Sequence, residues 1–244
     1  MEITKTEIFS PKLSRDYTIA VVSDLHNRPY DAVLSQLEAI CPDYILIPGD
    51  LTDNLDHDES LSRCKYALSF LAKAASIAKA YYSVGNHERR ISPECKEFIK
   101  STGAILLDDE TAKDGEITLG GLSTGLFESR YGPTPPPNLK YLEAFAKEDG
   151  YKLLLCHHPE YYPDYVRATD VDLTVSGHAH GGQWRFFGRG VYAPGQGLFP
   201  RYTSGLYENR LYVSRGLANT CYPIPRLFNQ TELAIIYLKK KKDA

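Results

Sequence analysis

Six of the seven histidines follow closely on runs of apolar residues that predict buried strands. Each of the six has a carboxylate, an amide or another histidine within two residues. They fall in four short motifs, Asp24-Leu25-His26, Gly85-Asn86-His87, His157-His158 and Gly177-His178-Ala179-His180, and a fifth motif, Gly49-Asp50, follows another such run. Taken alone, each motif is also typical of an ordinary turn. Five of them at the same kind of position, the end of a strand, indicate one polar site.

The side chains in these motifs are of the types that bind metals. Imidazole, carboxylate and amide oxygen together suit Mn²⁺, Fe or Zn²⁺ better than Mg²⁺ or Ca²⁺, which prefer oxygen ligands throughout. Seven candidate ligands are too many for one tetrahedral zinc ion, but they suit two metal ions that share a carboxylate, about 3.5–4 Å apart. Such a pair provides a hydroxide near neutral pH and stabilises in-line displacement at phosphorus. The sequence therefore predicts metal-dependent phosphoester hydrolysis.

The elements that must position these residues alternate between strands and helices. Apolar runs predict strands over residues 2–9, 17–23, 44–48, 81–84, 104–107, 116–123, 152–156, 172–176 and 231–239. Helical spacing of apolar residues predicts helices after Pro29, from Leu61 to Ala78, and over residues 93–100 and 139–148. From Gly188 onward the pattern predicts short strands and glycine-rich loops. This alternation predicts an α/β fold whose ligands bind beyond the carboxyl ends of the strands.

The composition of the chain argues against several classes of protein. The chain has 244 residues, 43% of them hydrophobic and 24% charged, as in ordinary globular proteins. No linker or internal repeat divides it, and we expect residues 1–244 to form a single domain. The formal net charge of −3 argues against binding of long nucleic acids. Five isolated cysteines argue against a disulfide framework and against a zinc ribbon.

The sequence also carries an expectation about location. No apolar run approaches the 18 residues of a membrane span, and the first residues lack the pattern of a signal peptide. We therefore expect a cytoplasmic protein without a transmembrane segment. The basic run from Lys239 to Lys242 could place it peripherally at an anionic membrane surface. The oligomeric state is left open.

The five motifs, in this order, resemble those of the calcineurin-like metallophosphoesterase superfamily. The likeness spans Asp24 to His180, about two thirds of the chain. It implies an α/β four-layer α/β-β/α sandwich, with mixed sheets flanked by helices and a dinuclear metal site at the sheet edge. It further implies that the cofactors are two divalent ions, which could be Mn, Fe or Zn.

The resemblance also implies a role for each residue. Asp24, His26, Asp50 and His180 would bind one metal ion, and Asp50 would bridge to a second ion bound by Asn86, His157 and His178. His87 would contact the phosphate and aid departure of the leaving group while a metal-bridging hydroxide attacks phosphorus. His158 is left open between substrate contact and support of a neighbouring ligand. For Asp53, orientation of a ligand and an ordinary turn role are both open.

One departure from the superfamily bears on the substrate. Its protein phosphatases carry the pattern G-D-x-x-D-R-G, whereas this chain has Asn54 where the arginine would stand. This disfavours a protein phosphatase. The segments GGQWRF, GLFPRYTSGLYE and SRGL resemble a bacterial phosphodiesterase branch. We therefore predict a phosphodiesterase. The alternatives are a phosphomonoesterase or protein phosphatase, a nuclease, and a metal-binding scaffold without catalysis.

The β-rich part at about 183–238 follows the last motif and is expected to form the rim of the site. Its aromatic residues could pack inward, or they could hold a base or an acyl chain of the substrate. Among its arginines, Arg185, Arg189 and Arg201 are candidates for gripping a phosphodiester oxygen. The expected substrate is accordingly a small-molecule or lipid-type phosphoester.

Overall fold

Two six-stranded sheets form the centre of the structure, a computed structural model that describes residues 1–53, 64–88, 91–125, 134–219 and 224–241. The first sheet contains, in spatial order, β1 (Glu2–Ser10), β16 (Glu232–Lys240), β2 (Tyr17–Val21), β3 (Tyr44–Ile47), β4 (Lys79–Ser83) and β5 (Ile105–Leu107). The second contains β14 (Gly205–Tyr207), β15 (Leu211–Val213), β9 (Leu173–Ser176), β8 (Tyr151–Cys156), β7 (Ile117–Leu122) and β6 (Glu110–Asp114). Two small hairpins precede β14: β10 (Arg185–Phe186) with β11 (Arg189–Gly190), and β12 (Tyr192–Ala193) with β13 (Gly197–Leu198).

Both sheets are mixed. Strands β2 to β5 run parallel to one another, and so do β7, β8, β9 and β15. Antiparallel pairs join β16 to β2, β6 to β7 and β14 to β15. Because parallel strands end at one edge of their sheet, the residues that follow β2, β3 and β4 are brought together, as are those that follow β8 and β9.

The two sheets pack face to face through a core of large apolar side chains. Ile19, Leu46 and Tyr81 of the first sheet share this core with Leu153 and Val175 of the second. The alternate residues of the same strands, such as Ala20 and Ile45, face the helices instead. Strands that are buried on both faces require continuous apolar runs, which explains why they were recognisable in the sequence.

Helices cover the outer face of each sheet. The helices are α1 (Asp31–Ile40), α2 (Lys65–Ile77), α3 (Pro93–Ser101) and α4 (Leu139–Ala146). The first three pack against the first sheet through residues such as Leu37, Phe70 and Ile99. Helix α4 packs against the second sheet through Leu142 and Phe145. The order helix, sheet, sheet, helix confirms the predicted four-layer α/β-β/α fold.

Several elements differ from the sequence prediction. Strand β6 was not predicted because it is an edge strand with few buried side chains and therefore lacks an apolar pattern. A π-helical turn, Tyr162–Val166, follows β8 and was also not predicted. Leu61, the predicted beginning of the second helix, and Lys242 of the basic run lie outside the described residues. Among the described residues, no helix is long and apolar enough to cross a membrane.

Candidate functional site

Five of the seven predicted ligands adopt a left-handed backbone conformation immediately beyond their strands. Their φ angles lie between 46° and 64°; the residues are Asp24, His26, Asp50, His178 and His180. This conformation is unfavourable for residues other than glycine, although Asp, His and Asn are enriched in it. Backbone strain of this kind clusters at functional sites, where it fixes the direction of a side chain.

The first cluster contains Asp24, His26 and His180, whose potential ligand atoms all lie within 4.8 Å of one another. All three side chains are buried. His180 Nε2 lies 3.4 Å from Asp24 Oδ1, and His26 Nε2 lies 4.0 Å from the same oxygen. Ser23 Oγ and the backbone N–H of His178 donate hydrogen bonds to the Asp24 carboxylate and hold it in place.

The second cluster contains Asp50, His157 and His178, again with potential ligand atoms within 4.8 Å of one another. His157 Nδ1 donates to the carbonyl oxygen of Pro48 (2.9 Å), which turns Nε2 toward the cluster. That Nε2 lies 3.1 Å from Asp50 Oδ2 and 3.1 Å from Asn86 Oδ1. Asn86 therefore joins this cluster, as the resemblance implies.

Asp50 connects the two clusters. Its Oδ2 lies 3.1 Å from His157 Nε2 in the second cluster and 3.7 Å from His26 Nε2 in the first. His87 Nε2 lies 3.8 Å from the same oxygen. A single carboxylate oxygen shared in this way has the position that a bridging ligand between two cations requires.

The donor atoms fit divalent cations. His26 Nδ1 donates to Asp53 Oδ1 (3.0 Å), so the lone pair of the neutral ring lies on Nε2. This Nε2 is buried, has no hydrogen-bond partner among the described residues and faces Asp24 and Asp50. At His157, Nε2 lies at hydrogen-bond distance from two oxygens. Although burial opposes it, Asp50 and Asp24 raise the pKa of this ring to about 10, so a proton holds the position that a cation would take. The mixture of nitrogen and oxygen atoms suits a transition metal.

The ionisation states of His178, His180 and Asp50 suit metal binding. Burial lowers the pKa of His178 well below its ordinary value, and the positive charges of neighbouring histidines lower it further. Burial likewise lowers the pKa of His180 to about 4, despite the opposing charge of Asp24. Both rings are therefore neutral near pH 7, the form that binds metals. Burial alone would raise the pKa of Asp50, but His157 and His87 hold it well below its ordinary value, so this carboxyl is ionised.

Asp53 holds both histidines beside it. Its side chain accepts from His26 Nδ1, and its backbone carbonyl oxygen accepts from His87 Nδ1 (2.8 Å). His87 Nε2 is thereby directed toward Asp50, while 34% of the His87 side chain stays exposed and accessible to a substrate. Of the two roles that the sequence left open for Asp53, the structure favours orientation of a ligand.

Glu88 is a supporting residue to which the sequence analysis gave no role. It is fully buried and accepts hydrogen bonds from the backbone N–H groups of Asp50, Thr52 and Gly85. Its carboxylate thus joins the loop after β3 to the loop after β4. Burial and the adjacent Asp50 raise the pKa of Glu88. An acidic residue directly after Gly85-Asn86-His87 was the only signal in the sequence.

The structure places His158 against His178. The side chain is fully buried, its ring centroid lies 4.1 Å from that of His178, and Nδ1 lies 3.0 Å from Glu160 Oε1. This position favours support of His178 over the predicted contact with substrate. Glu160, which the sequence analysis missed, forms a further potential donor group with these two histidines.

The three candidate arginines differ in their availability for substrate. Arg185 donates to the carbonyl oxygens of Gly181 (2.9 Å) and Gly188, so its guanidinium braces the β10–β11 hairpin. Substrate binding by Arg185 stays a prediction. Arg189 and Arg201 are exposed on the rim, and Arg201 lies 3.8 Å from Glu208. For these two, substrate binding stays a prediction.

Comparison with known proteins identifies the class that this fold and site define. The calcineurin-like phosphoesterase family model matches residues 17–182. The chain belongs to the calcineurin-like phosphoesterase family. The prediction of the family is therefore confirmed, and the family is one of phosphoesterases.

Individual relatives are similar over most of this chain. An uncharacterized metallophosphoesterase of Campylobacter jejuni, Cj0846, is 30% identical over 99% of this chain and 64% of its own length. One from Helicobacter pylori strain 26695 is 28% identical over 100% of this chain and 65% of its own length. The phosphodiesterase YaeI of Escherichia coli is 26% identical over 83% of this chain and 76% of its own length. The chain thus spans slightly less than two thirds of the Campylobacter and Helicobacter proteins.

Proposed function

We propose that the protein is a phosphodiesterase that depends on two divalent metal ions. The observation that carries the proposal is the position of Asp50, whose Oδ2 faces His157 of one donor cluster and His26 of the other. Asp24, His26, Asp50 and His180 would hold one ion, and Asp50, Asn86, His157 and His178 the other. When bound, these ions supply Lewis-acid activation of water and stabilise the charge that develops at phosphorus.

The protein's own groups have separate tasks in this reaction. Water adds to phosphorus as the bond between phosphorus and the leaving oxygen breaks, and the leaving oxygen takes up a proton. His87 is placed to give that proton from Nε2, because Nδ1 is already held by the carbonyl oxygen of Asp53. The backbone N–H of His87 also donates to Asp50 Oδ1 (3.0 Å), which fixes the distance between the acid and the central carboxylate.

Two observations favour a diester over a monoester. A 26% identical relative, YaeI, is named a phosphodiesterase. In addition, the site is flanked by an aromatic and arginine-containing rim, which offers contacts to the second esterified group of a diester. A monoester has no such group, and the net charge of −3 provides no general attraction for a long nucleic acid.

The first prediction concerns Asp50 and His87. With Mn²⁺ present, Asp50→Ala should abolish hydrolysis of an aryl phosphodiester because it removes the residue shared by both clusters. His87→Ala should retain metal and lower kcat by about 10²–10⁴-fold, the usual contribution of a general acid. Steady-state kinetics together with metal analysis of each variant would check both outcomes.

A comparison of substrates with different leaving groups provides the control for His87. If His87 donates the proton, His87→Ala should impair an alkyl leaving group far more than a nitrophenolate, which departs without protonation. An equal loss on both substrates would contradict the assignment of His87. Turnover of monoesters alone in a substrate panel would instead overturn the diesterase proposal.

A further inference from the structure

Three loops beside the site each carry a pair of bulky apolar residues that point away from the protein. The pairs are Phe186-Phe187 in the β10–β11 hairpin, Leu198-Phe199 at the end of β13, and Leu227-Phe228. Phe187 is fully exposed, and Phe199 and Phe228 are 81% and 80% exposed. These six residues are called the rim patch below. Clustered exposed side chains of this size mark a surface that meets a partner.

The first and third loops are in direct contact. The backbone N–H of Arg185 donates to the carbonyl oxygen of Leu227 (3.0 Å). The ring centroids of Phe186 and Phe228 lie 5.7 Å apart. Two of the three pairs therefore form one continuous apolar surface.

Hydrogen bonds connect the remaining loop and the metal-site loop to this surface. The backbone N–H of Val191 donates to the Trp184 carbonyl oxygen (2.9 Å), and that of Phe199 donates to the Val191 carbonyl oxygen (2.8 Å). On the other side, Asn229 Nδ2 donates to the carbonyl oxygen of His180 (2.7 Å). The rim patch is thus attached directly to a loop that carries a predicted ligand.

The backbone conformation of the three phenylalanines is unusual. Phe187, Phe199 and Phe228 have φ angles of 50°, 52° and 52°, in the left-handed region that favours glycine and asparagine. A phenylalanine at such a position lowers stability relative to asparagine, and these rings gain little from burial. Retaining aromatic rings at three strained and exposed positions indicates a function outside the protein's own core.

Two exposed arginines lie beside the rim patch. Between Gly181 and Thr231 the sequence contains six arginines, no lysine and one acidic residue, Glu208. Of these arginines, Arg215 is paired with Glu2 and Glu232, and the side chains of Arg185, Arg210 and Arg226 donate to backbone carbonyl oxygens. Arg189 stands opposite Phe186 in the β10–β11 hairpin, and Arg201 follows Phe199 by two residues. Both arginines are exposed.

We propose that the rim patch docks the protein onto the surface of an anionic lipid bilayer. The three loops would place their aromatic and leucine side chains at the level of the headgroups, where aromatic side chains are enriched. Arg189 and Arg201 would meet lipid phosphates, to which their positive charges are complementary. Separate protruding loops suit a deformable bilayer better than they suit the flat, closely packed surface of a protein partner. The metal site would then open beside the membrane.

Vesicle co-sedimentation tests the proposal with the full chain. The wild-type protein should bind vesicles of phosphatidylcholine with phosphatidylglycerol, and it should bind pure phosphatidylcholine vesicles much more weakly. Higher salt should weaken the binding, because exposed charges are screened. The vesicles are the only ligand in this assay, so no substrate is needed.

Asparagine variants separate membrane binding from folding. Phe187→Asn and Phe228→Asn remove the rings but suit the left-handed backbone, so the fold should be at least as stable as that of the wild type. Each should weaken vesicle binding about tenfold or more, which corresponds to the loss of one buried phenylalanine. Phe98→Gln on α3 removes another exposed ring and is the matched control, for which binding should not change.

The outcomes are distinct. Weaker binding by the Asn variants and unchanged binding by Phe98→Gln would support the proposal. Phe187→Trp keeps an aromatic ring at this position and should bind vesicles as the wild type does. Absence of wild-type binding, or equal binding by the Asn variants, would overturn it. Concentration-dependent self-association that the Asn variants abolish would overturn it in favour of a contact between copies of the chain. Hydrolysis of a soluble aryl phosphodiester, measured in parallel, tests the proposed activity independently.

Discussion

Asp50 and Glu88 are two buried carboxylates in contact with the same loop, yet their surroundings differ. Asp50 faces His26, His87 and His157, whose charges keep its pKa low. Burial and the charge of Asp50 raise the pKa of Glu88, although the backbone N–H groups that donate to it act in the opposite direction. The Asp50 carboxylate therefore presents oxygens to the metal site, while the Glu88 carboxylate fixes the backbone of the loop that carries Asp50. Residues with the same chemistry have different roles here because of the groups that they face.

Asp53 provides a prediction at the residue scale. Asp53→Ala removes the acceptor for His26 Nδ1 but leaves the backbone bond to His87, so His26 should lose its fixed orientation. Metal affinity should fall about 10–100-fold, the usual effect of removing an oriented partner of a ligand. Competition with a chelator for Mn²⁺ would measure this loss.

The conservative substitution Asp53→Asn separates the effect of the hydrogen bond that orients His26 from the effect of the Asp53 charge. Asp53→Asn keeps an oxygen that can accept from His26 Nδ1, and it should restore most of the affinity. Unchanged affinity in Asp53→Ala would show that His26 is oriented by its packing alone. An equally large loss in Asp53→Asn would mean that the charge of Asp53 matters more than its hydrogen bond.

At the scale of elements, the loops after β3 and β4 approach each other closely because glycines lie where they meet. A Cβ added to Gly85 would lie 2.6 Å from the backbone nitrogen of Asp50, and it would also contact Asp50 Oδ1. A Cβ added to Gly49 would lie 2.7 Å from His157 Nδ1. The distance between the clusters therefore depends on two residues that themselves do no chemistry.

Gly85→Ala should displace Asp50 while the strands stay in place. Because the clash is with the Asp50 carboxylate and backbone, we expect a loss of stability of about 1–3 kcal/mol. Activity should fall about a hundredfold, as is usual when a catalytic group moves by about 1 Å. Gly115→Asn is the control, since that turn is open and has a φ of 61°, which Asn tolerates. Full activity in Gly85→Ala would show that the loops can separate without harm.

The elements and the metal-binding motifs were predictable from sequence for a physical reason, and the supporting residues were not. Strands such as β3 and β8 are buried on both faces, so their apolar runs and the motifs behind them were visible. Glu88 and Glu160 act through contacts with loops distant in sequence, as in the bond from Glu88 to the Asp50 N–H. Similarly, the exposure of Phe187 depends on how three separate loops are folded, and periodicity in one segment contains no such information.

At the scale of the whole molecule, the proposed metal ions would connect the two halves of the fold. Asp24 and Asp50 follow strands of the first sheet, whereas His157, His178 and His180 follow strands of the second. Any ion bound by both sets adds a link across the sandwich that is absent in the unfolded chain. Metal binding should therefore stabilise the entire fold and not only the loops around the site.

Thermal unfolding with and without metal tests this link. At a metal concentration of about one hundred times Kd, the linkage adds about 2.7 kcal/mol for each bound ion. For a domain of this size such a gain should raise Tm by roughly 5–10 °C. Asp50→Ala should lose most of this increase because its substitution removes the residue shared by both clusters. Chelation should return the wild-type Tm to the metal-free value, and calorimetry would show one cooperative transition in both states. A metal-induced shift of the same size in Asp50→Ala would place the bound ions elsewhere, since the shared carboxylate would then contribute nothing to their binding.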